Sequence, residues 1–245
     1  MTGSVISLVI LLASSALAQV APGNIDMSPS GVTANLGPGY SIATVSAADL
    51  SIPRRARVEL QKANQLTAKG QLQKALQRLK RALAIDPDFA GAYNNLGVIY
   101  SLIGDSVNER KALERAVQLD DHCALAYLNL GRLQVASANY PGADLALRKA
   151  SSLNPADPVS LILLSYSQLL QKHFDDAIAT SQRAHALGKP HAFAHHLAAR
   201  AFEGERQFTR AIAELKRCLE EEPTGSRADD ARRELEIVQN LQPAQ

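Results

Sequence analysis

The chain has 245 residues, of which 46% are apolar, 20% charged and 4% aromatic, with no tryptophan and a formal charge of +2. That length suits one or two domains with an ample core. The nearly balanced, interspersed charge argues against a nucleic-acid binder, which needs a clustered basic face, and the scarcity of aromatics points to packing on Ala and Leu.

Residues 1–18, MTGSVISLVILLASSALA, hold an apolar run from Val5 to Ala18 that is too short to span a bilayer comfortably. Ala16-Leu17-Ala18 fits a small-x-small cleavage site, so the expectation is an export signal removed after Ala18. No Lys or Arg precedes the run, and retention as an anchor is the alternative. Gln19, rather than Cys, follows the site, which disfavours a lipid anchor. Residues 19–50 are rich in Pro, Gly, Ser, Thr and Ala and carry breaker signals without a helical stripe, as a flexible linker does. A strand-adding binding tail is the sharper alternative there. Ser51 is expected to cap a helix with Pro53 in its first turn, and Arg54, Arg55 and Arg57 form a small basic cluster at its start.

From residue 56 onward a 34-residue period runs without insertion through units 56–89, 90–123, 124–157, 158–191 and 192–225. Position 8 of the unit reads Ala63, Gly97, Gly131, Ser165 and Ala199; position 20 reads Ala75, Glu109, Ala143, Ala177 and Ala211; position 27 reads Ala82, Ala116, Ala150, Ala184 and Cys218. Small residues in three fixed columns let helix backbones approach where apolar stripes meet, such as Tyr93, Leu96, Gly97 and Tyr100 at i, i+3, i+4 and i+7. Proline at position 32 (Pro87, Pro155, Pro223) ends the second helix of a unit. Gly70 and Gly104 at position 15 suit a left-handed turn, while Asn139 and Pro141 read as a helix cap and first turn. After the fifth unit, residues 226–241 place Ala228, Ala231, Leu235 and Val238 on one face, as a terminal capping helix requires; residues 242–245 are a short tail.

With AYNNLGVIY and AYLNLGRLQ as its clearest segments, this pattern resembles the tetratricopeptide repeat (TPR) family, here an exported bacterial member. The resemblance implies an all-α fold, a right-handed α-solenoid of five helical hairpins plus the capping helix. It also implies a partner polypeptide held in the concave groove by first-helix side chains, which on this chain are Arg57, Asn64, Asn94, Asn95, Asn129, Arg132, Tyr166, His196 and Arg200. Leu128, Ile162, Leu169 and Leu170 lie between them, and Glu203 is the one acid. Asn amides both donate and accept, and Arg forks onto carboxylates. The carboxylate clamp of the chaperone-binding subgroup is incomplete: Asn64 and Asn95 match it, whereas Leu60, Leu125 and Asn129 do not.

No nucleophile motif or phosphate-cradling loop is present, so no enzyme and no cofactor is expected. Cys123 and Cys218 lie too many helices apart to bridge within the chain; Cys218 fills an Ala column and reads as a small buried hydrophobe. His191, His195 and His196, with Glu203 and His185 in reserve, read as a packed or solvated cluster ahead of a metal or small-ligand site. Asp120-Asp121-His122-Cys123 mixes ligand types in a turn where converging geometry is not expected. The functional expectation is therefore a periplasmic or extracellular, non-enzymatic scaffold for a protein partner, serving envelope assembly or secretion, with no nucleic acid and no membrane span after signal removal. A self-associating solenoid is the rival. Glu109 in a close-packed column predicts a hairpin that either splays or turns this carboxylate to water or a nearby Arg.

Overall fold

The computed structural model of the chain describes residues 51–188 and 192–241; the expectations for the signal and linker, for His191 and for the tail lie outside them. Among the described residues there are eleven helices and no strand. Five hairpins follow one another: α1 (Arg54–Ala68) with α2 (Leu72–Ile85), α3 (Ala90–Leu102) with α4 (Ser106–Leu119), α5 (Ala124–Ala136) with α6 (Tyr140–Leu153), α7 (Pro158–Leu170) with α8 (Phe174–His185), and α9 (Ala192–Gly204) with α10 (Phe208–Glu221). A terminal helix, α11 (Ser226–Leu241), packs on α10 through Ala228, Ala231 and Val238, all buried. This is the α-solenoid that the period implies.

The small columns pack as expected. Position 8 lies against position 24 of the same unit, so a Cβ added to Gly97 would stand 2.6 Å from the Leu113 side chain, and one on Gly131 would stand 2.5 Å from that of Leu147. Leu79, Leu113, Leu147 and Leu215 hold position 24 and are fully buried, each contributing about 2 kcal/mol through the burial of apolar surface. The fourth unit solves the same contact differently. Ser165 faces Ser181 there, their hydroxyls 2.6 Å apart, and Ser165 Oγ also donates to the carbonyl of Ala177 at 2.9 Å. The residues at position 27, including Cys218, are all inaccessible to solvent.

One turn joins the two helices in every unit. Position 15 is left-handed five times, at Gly70, Gly104, Ala138, Lys172 and Arg206, with φ between 56 and 78°. The next amide reaches back five residues in each case: Gln71 to Leu66, Asp105 to Tyr100, Asn139 to Gln134, His173 to Gln168 and Gln207 to Phe202, at 2.8–2.9 Å. These bonds satisfy carbonyls that the helix end would otherwise leave bare. The turn is thus a backbone device, and three units build it without glycine at the cost of some strain. The first two second helices end on an extended residue at position 31, with φ of −138° at both Asp86 and Asp120, whereas in the fourth unit the helix ends at His185 and position 31 is Gly188 with φ of 77°. Pro87 demands such a predecessor; Asp121 does not, yet the geometry is the same.

One expectation changes, and one pair of alternatives is resolved. The first helix begins at Arg54 with Pro53, rather than Ser51, at its cap position, and Ile52 before it is buried in the first core cluster. The second hairpin does not splay: α3 and α4 pack as closely as the other pairs. Buried Glu109 turns instead to Arg132, with Oε1 3.7 Å from Nη2. Asn139 and Pro141 serve as expected, the Asn139 side chain accepting from the Gly142 amide at 3.3 Å.

Candidate functional site

First helices of successive units touch one another, α1 to α3, α3 to α5, α5 to α7 and α7 to α9, while successive second helices show no comparable contact. The side chains of the first helices therefore line the inner face of the solenoid. All nine residues expected to line the groove lie on first helices, and the structure sorts them into three groups.

The asparagines form a chain. Asn129 donates to Asn94 at 2.9 Å, Asn94 to Asn95 at 3.0 Å, and Asn95 to Asn64 at 2.6 Å, linking three units. Asn94 and Asn129 are 3% and 2% exposed, so their amides hold neighbouring repeats together rather than face an open groove. A buried amide must find such a partner, and another amide supplies donor and acceptor at once. Asn64 and Asn95 remain partly open, and Arg57 is exposed. The spacings, 31 residues from Asn64 to Asn95 and 35 from Asn94 to Asn129, are one repeat shifted by a few positions, the signal that exposes the chain of contacts.

Arg132 and Tyr166 are also internal, each 6% exposed. Arg132 reaches Glu109 and donates to Ser101 Oγ at 3.4 Å, while its Nε has no hydrogen-bond partner. Burial pushes the Glu109 carboxyl up, against the pull of the Arg132 charge. Burial likewise pushes the Tyr166 phenol up. Leu169 is buried, and Leu128, Ile162 and Leu170 are half-buried, leaving an apolar floor between the polar groups.

At the far end the capping helix enters the face. Glu234 of α11 accepts from His196 Nε2 at 2.5 Å and lies 3.7 Å from Arg200 Nε. Both residues expected to greet a partner are engaged by the chain itself. Glu203 stands beside them, 7% exposed, with an Oε1 that meets no donor. Burial first, and then the Glu234 charge, push its carboxyl up to about 8, so it is largely protonated at neutral pH.

His195 and His196 face different ways, as neighbours on a helix must. His195 is buried, as its packing column predicts, with Nδ1 2.6 Å from Glu214 Oε2 on α10. That hydrogen bond, outweighing the cost of burial, holds its imidazolium above the ordinary range. His185 and Glu221 complete a group whose ligand atoms lie within 4.8 Å of one another. Asp120, Asp121 and His122 also converge, contrary to expectation, because the inter-unit turn folds their side chains to one side; Asp121 and His122 are mostly exposed. Cys123 and Cys218 form no disulfide; Cys123 is half-buried, and burial pushes the Cys218 thiol up to about 11, making it inert. No described helix is long and apolar enough to cross a membrane.

The TPR repeat model of known families matches residues 63–104, and the tetratricopeptide repeat model matches residues 90–123. The chain carries tetratricopeptide repeats. Among solved structures it is similar to PilW, a type IV pilus biogenesis factor, at 17% identity and a TM-score of 0.67, over 77% of this chain and 87% of that one. YrrB, a TPR protein with an unusual peptide-binding site, aligns at 21% identity and 0.65, over 73% and 92%. MamA aligns at 25% and 0.62, over 66% and 94%. No curated protein sequence matches the chain. Proteins built of this repeat bind protein partners, and as a class they are non-catalytic scaffolds.

Proposed function

We propose that this TPR chain is an exported, non-enzymatic scaffold that holds an extended segment of a partner polypeptide on the inner face of its first three units. The observation that carries this reading is the asymmetry of that face. Its C-terminal end is filled by Glu234 on His196 and Arg200, whereas Arg57, Asn64 and Asn95 remain accessible at the other end beside half-buried Leu60, Val98 and Leu128. Half-exposed amides next to apolar ground suit main-chain hydrogen bonds with alternate side chains laid into pockets. The peptide-binding site described for YrrB is a use of the same fold. Export rests on residues 1–18, and a role in envelope assembly or secretion follows from export.

Photo-cross-linkers placed at Asn64 and Val98 on the inner face should give partner adducts in cells, and those at exposed Lys80 and Glu114 on the second helices should not. Adducts from the second helices alone would reverse the assignment and favour self-association through the outer surface if the adduct were a second copy of the chain. Mass spectrometry of the mature amino terminus tests export, with a chain beginning at Gln19 expected and one beginning at Met1 against it.

A further inference from the structure

We propose that His185, His195 and Glu221 form a binding site for a divalent transition-metal ion of the zinc type. The three residues come from three successive helices, α8, α9 and α10, and meet where the fourth unit joins the fifth. His195 Nε2 lies 3.5 Å from Glu221 Oε1, and His185 Nδ1 lies 3.6 Å from the same oxygen. A direct N–H···O hydrogen bond would close to about 2.9 Å. Two ligand atoms that each sit about 2.0–2.2 Å from a tetrahedral zinc stand about 3.3–3.5 Å apart. The observed spacings are too wide for hydrogen bonds and close to those of a coordination shell.

The surroundings agree with that spacing. Glu214 takes the Nδ1 side of His195 at 2.6 Å, which fixes the ring and leaves Nε2 as the atom facing Glu221. A carboxylate behind a ligating histidine is the outer support that metal sites commonly use. Glu221 Oε2 is buried and has no hydrogen-bond partner, so its carboxylate has a second oxygen to offer. The His185 side chain is 48% exposed, which gives an ion a route in and leaves a coordination position for water. The His185 and His195 rings approach to 4.5 Å between centroids at 55°, converging on the carboxylate rather than stacking flat. When the ion binds, any proton on His195 Nε2 leaves for solvent while the one on Nδ1 stays with Glu214. The bound ion would fasten α8 to α9 and α10, so the site belongs to the architecture and stands apart from the partner face.

The rival description is an ion-pair cluster in which imidazolium His195 simply bridges Glu214 and Glu221, with Arg217 nearby. Calorimetric titration of the full chain with zinc chloride separates the two. Expected are one ion per chain at this site, a rise in Tm with zinc, and at least a ten-fold loss of affinity in both His185→Ala and Glu221→Gln, with His122→Ala unchanged. His185 lies at an exposed helix end, so its variant keeps the fold, and circular dichroism checks this. Absence of zinc binding would overturn the proposal, as would binding that survives His185→Ala and disappears in His122→Ala, which would place the ion at the Asp120–His122 turn.

Discussion

The first three units and the last two use one frame to bury very different polar groups. In the N-terminal part the inner face is tied by a chain of neutral amides, Asn64 to Asn129, and by one ion pair between Glu109 and Arg132. In the fifth unit the buried polar groups are ionisable, with His195 between two glutamates and Glu203 beside Glu234, while the fourth unit buries neutral groups such as Ser165, Ser181 and Gln168. Packing between units follows the same division: α6 with α7 and α8 with α9 meet more extensively than α2 with α3 or α4 with α5. A repeat therefore does not fix its own chemistry. The N-terminal joints are thinner and held mainly by neutral amides, with Glu109 as their one buried acid, and the joint into the fifth unit is broader and carries several ionisable groups.

The harshest way to break this comparison is to violate the frame both halves share. Gly131→Leu would drive a side chain into Leu147, already 2.5 Å from where a Cβ would sit, and should cost about 3 kcal/mol or more in chemical denaturation. Next comes protonation. Because the folded chain raises the Glu203 carboxyl from its ordinary 4.5 to about 8, the protonated group favours folding, and its contribution is complete below pH 4.5 and lost as pH rises through about 8. Glu203→Gln keeps the neutral shape, so it should raise stability at pH 8 by on the order of 2 kcal/mol, seen as a higher Tm, and change little at pH 4.5. A shift independent of pH would dissolve the contrast between the halves.

Smaller effects sharpen it. Glu109→Ala leaves Arg132 buried beside only Ser101 and should lower stability by about 2 kcal/mol, while adding Arg132→Leu should recover most of the loss. Asn129→Ala removes the donor to buried Asn94 and should cost about 1–2 kcal/mol, with the same value at pH 5 and pH 8 because no charge is involved. Smallest is Ala138→Gly, which relieves a left-handed φ of 56° and should gain at most about 1 kcal/mol in thermal melts.

The fold was legible because its rules are periodic. Small columns, prolines and turn glycines repeat every 34 residues, and each repetition adds to the case for the same helices. The face was legible only as a set of positions. Nothing in a single unit shows that Asn94 pairs with Asn129 of the next, or that Arg132 turns back to Glu109, because those contacts cross units at spacings other than the period. The role of Glu234 lay further out of reach, since α11 has no equivalent among the repeats. Glu109 was seen as a misfit in an alanine column, and its partner was correctly sought among the arginines; the splayed hairpin offered as the alternative did not appear.

The five left-handed turns offer a ruler along one edge of the molecule. Gly70 and Gly104 have nothing within 4 Å of an added Cβ, and Ala138, Lys172 and Arg206 are exposed. Each turn is closed by main-chain bonds alone, so a dye attached through a cysteine at Lys172 or Arg206 would leave the closure intact. Two dyes on turns one, two or three units apart would then report how far the spring is stretched. A partner that threads the inner face of the first units would lengthen the near interval and leave the far one unchanged, which turns a repeating backbone bond into a local strain gauge for binding.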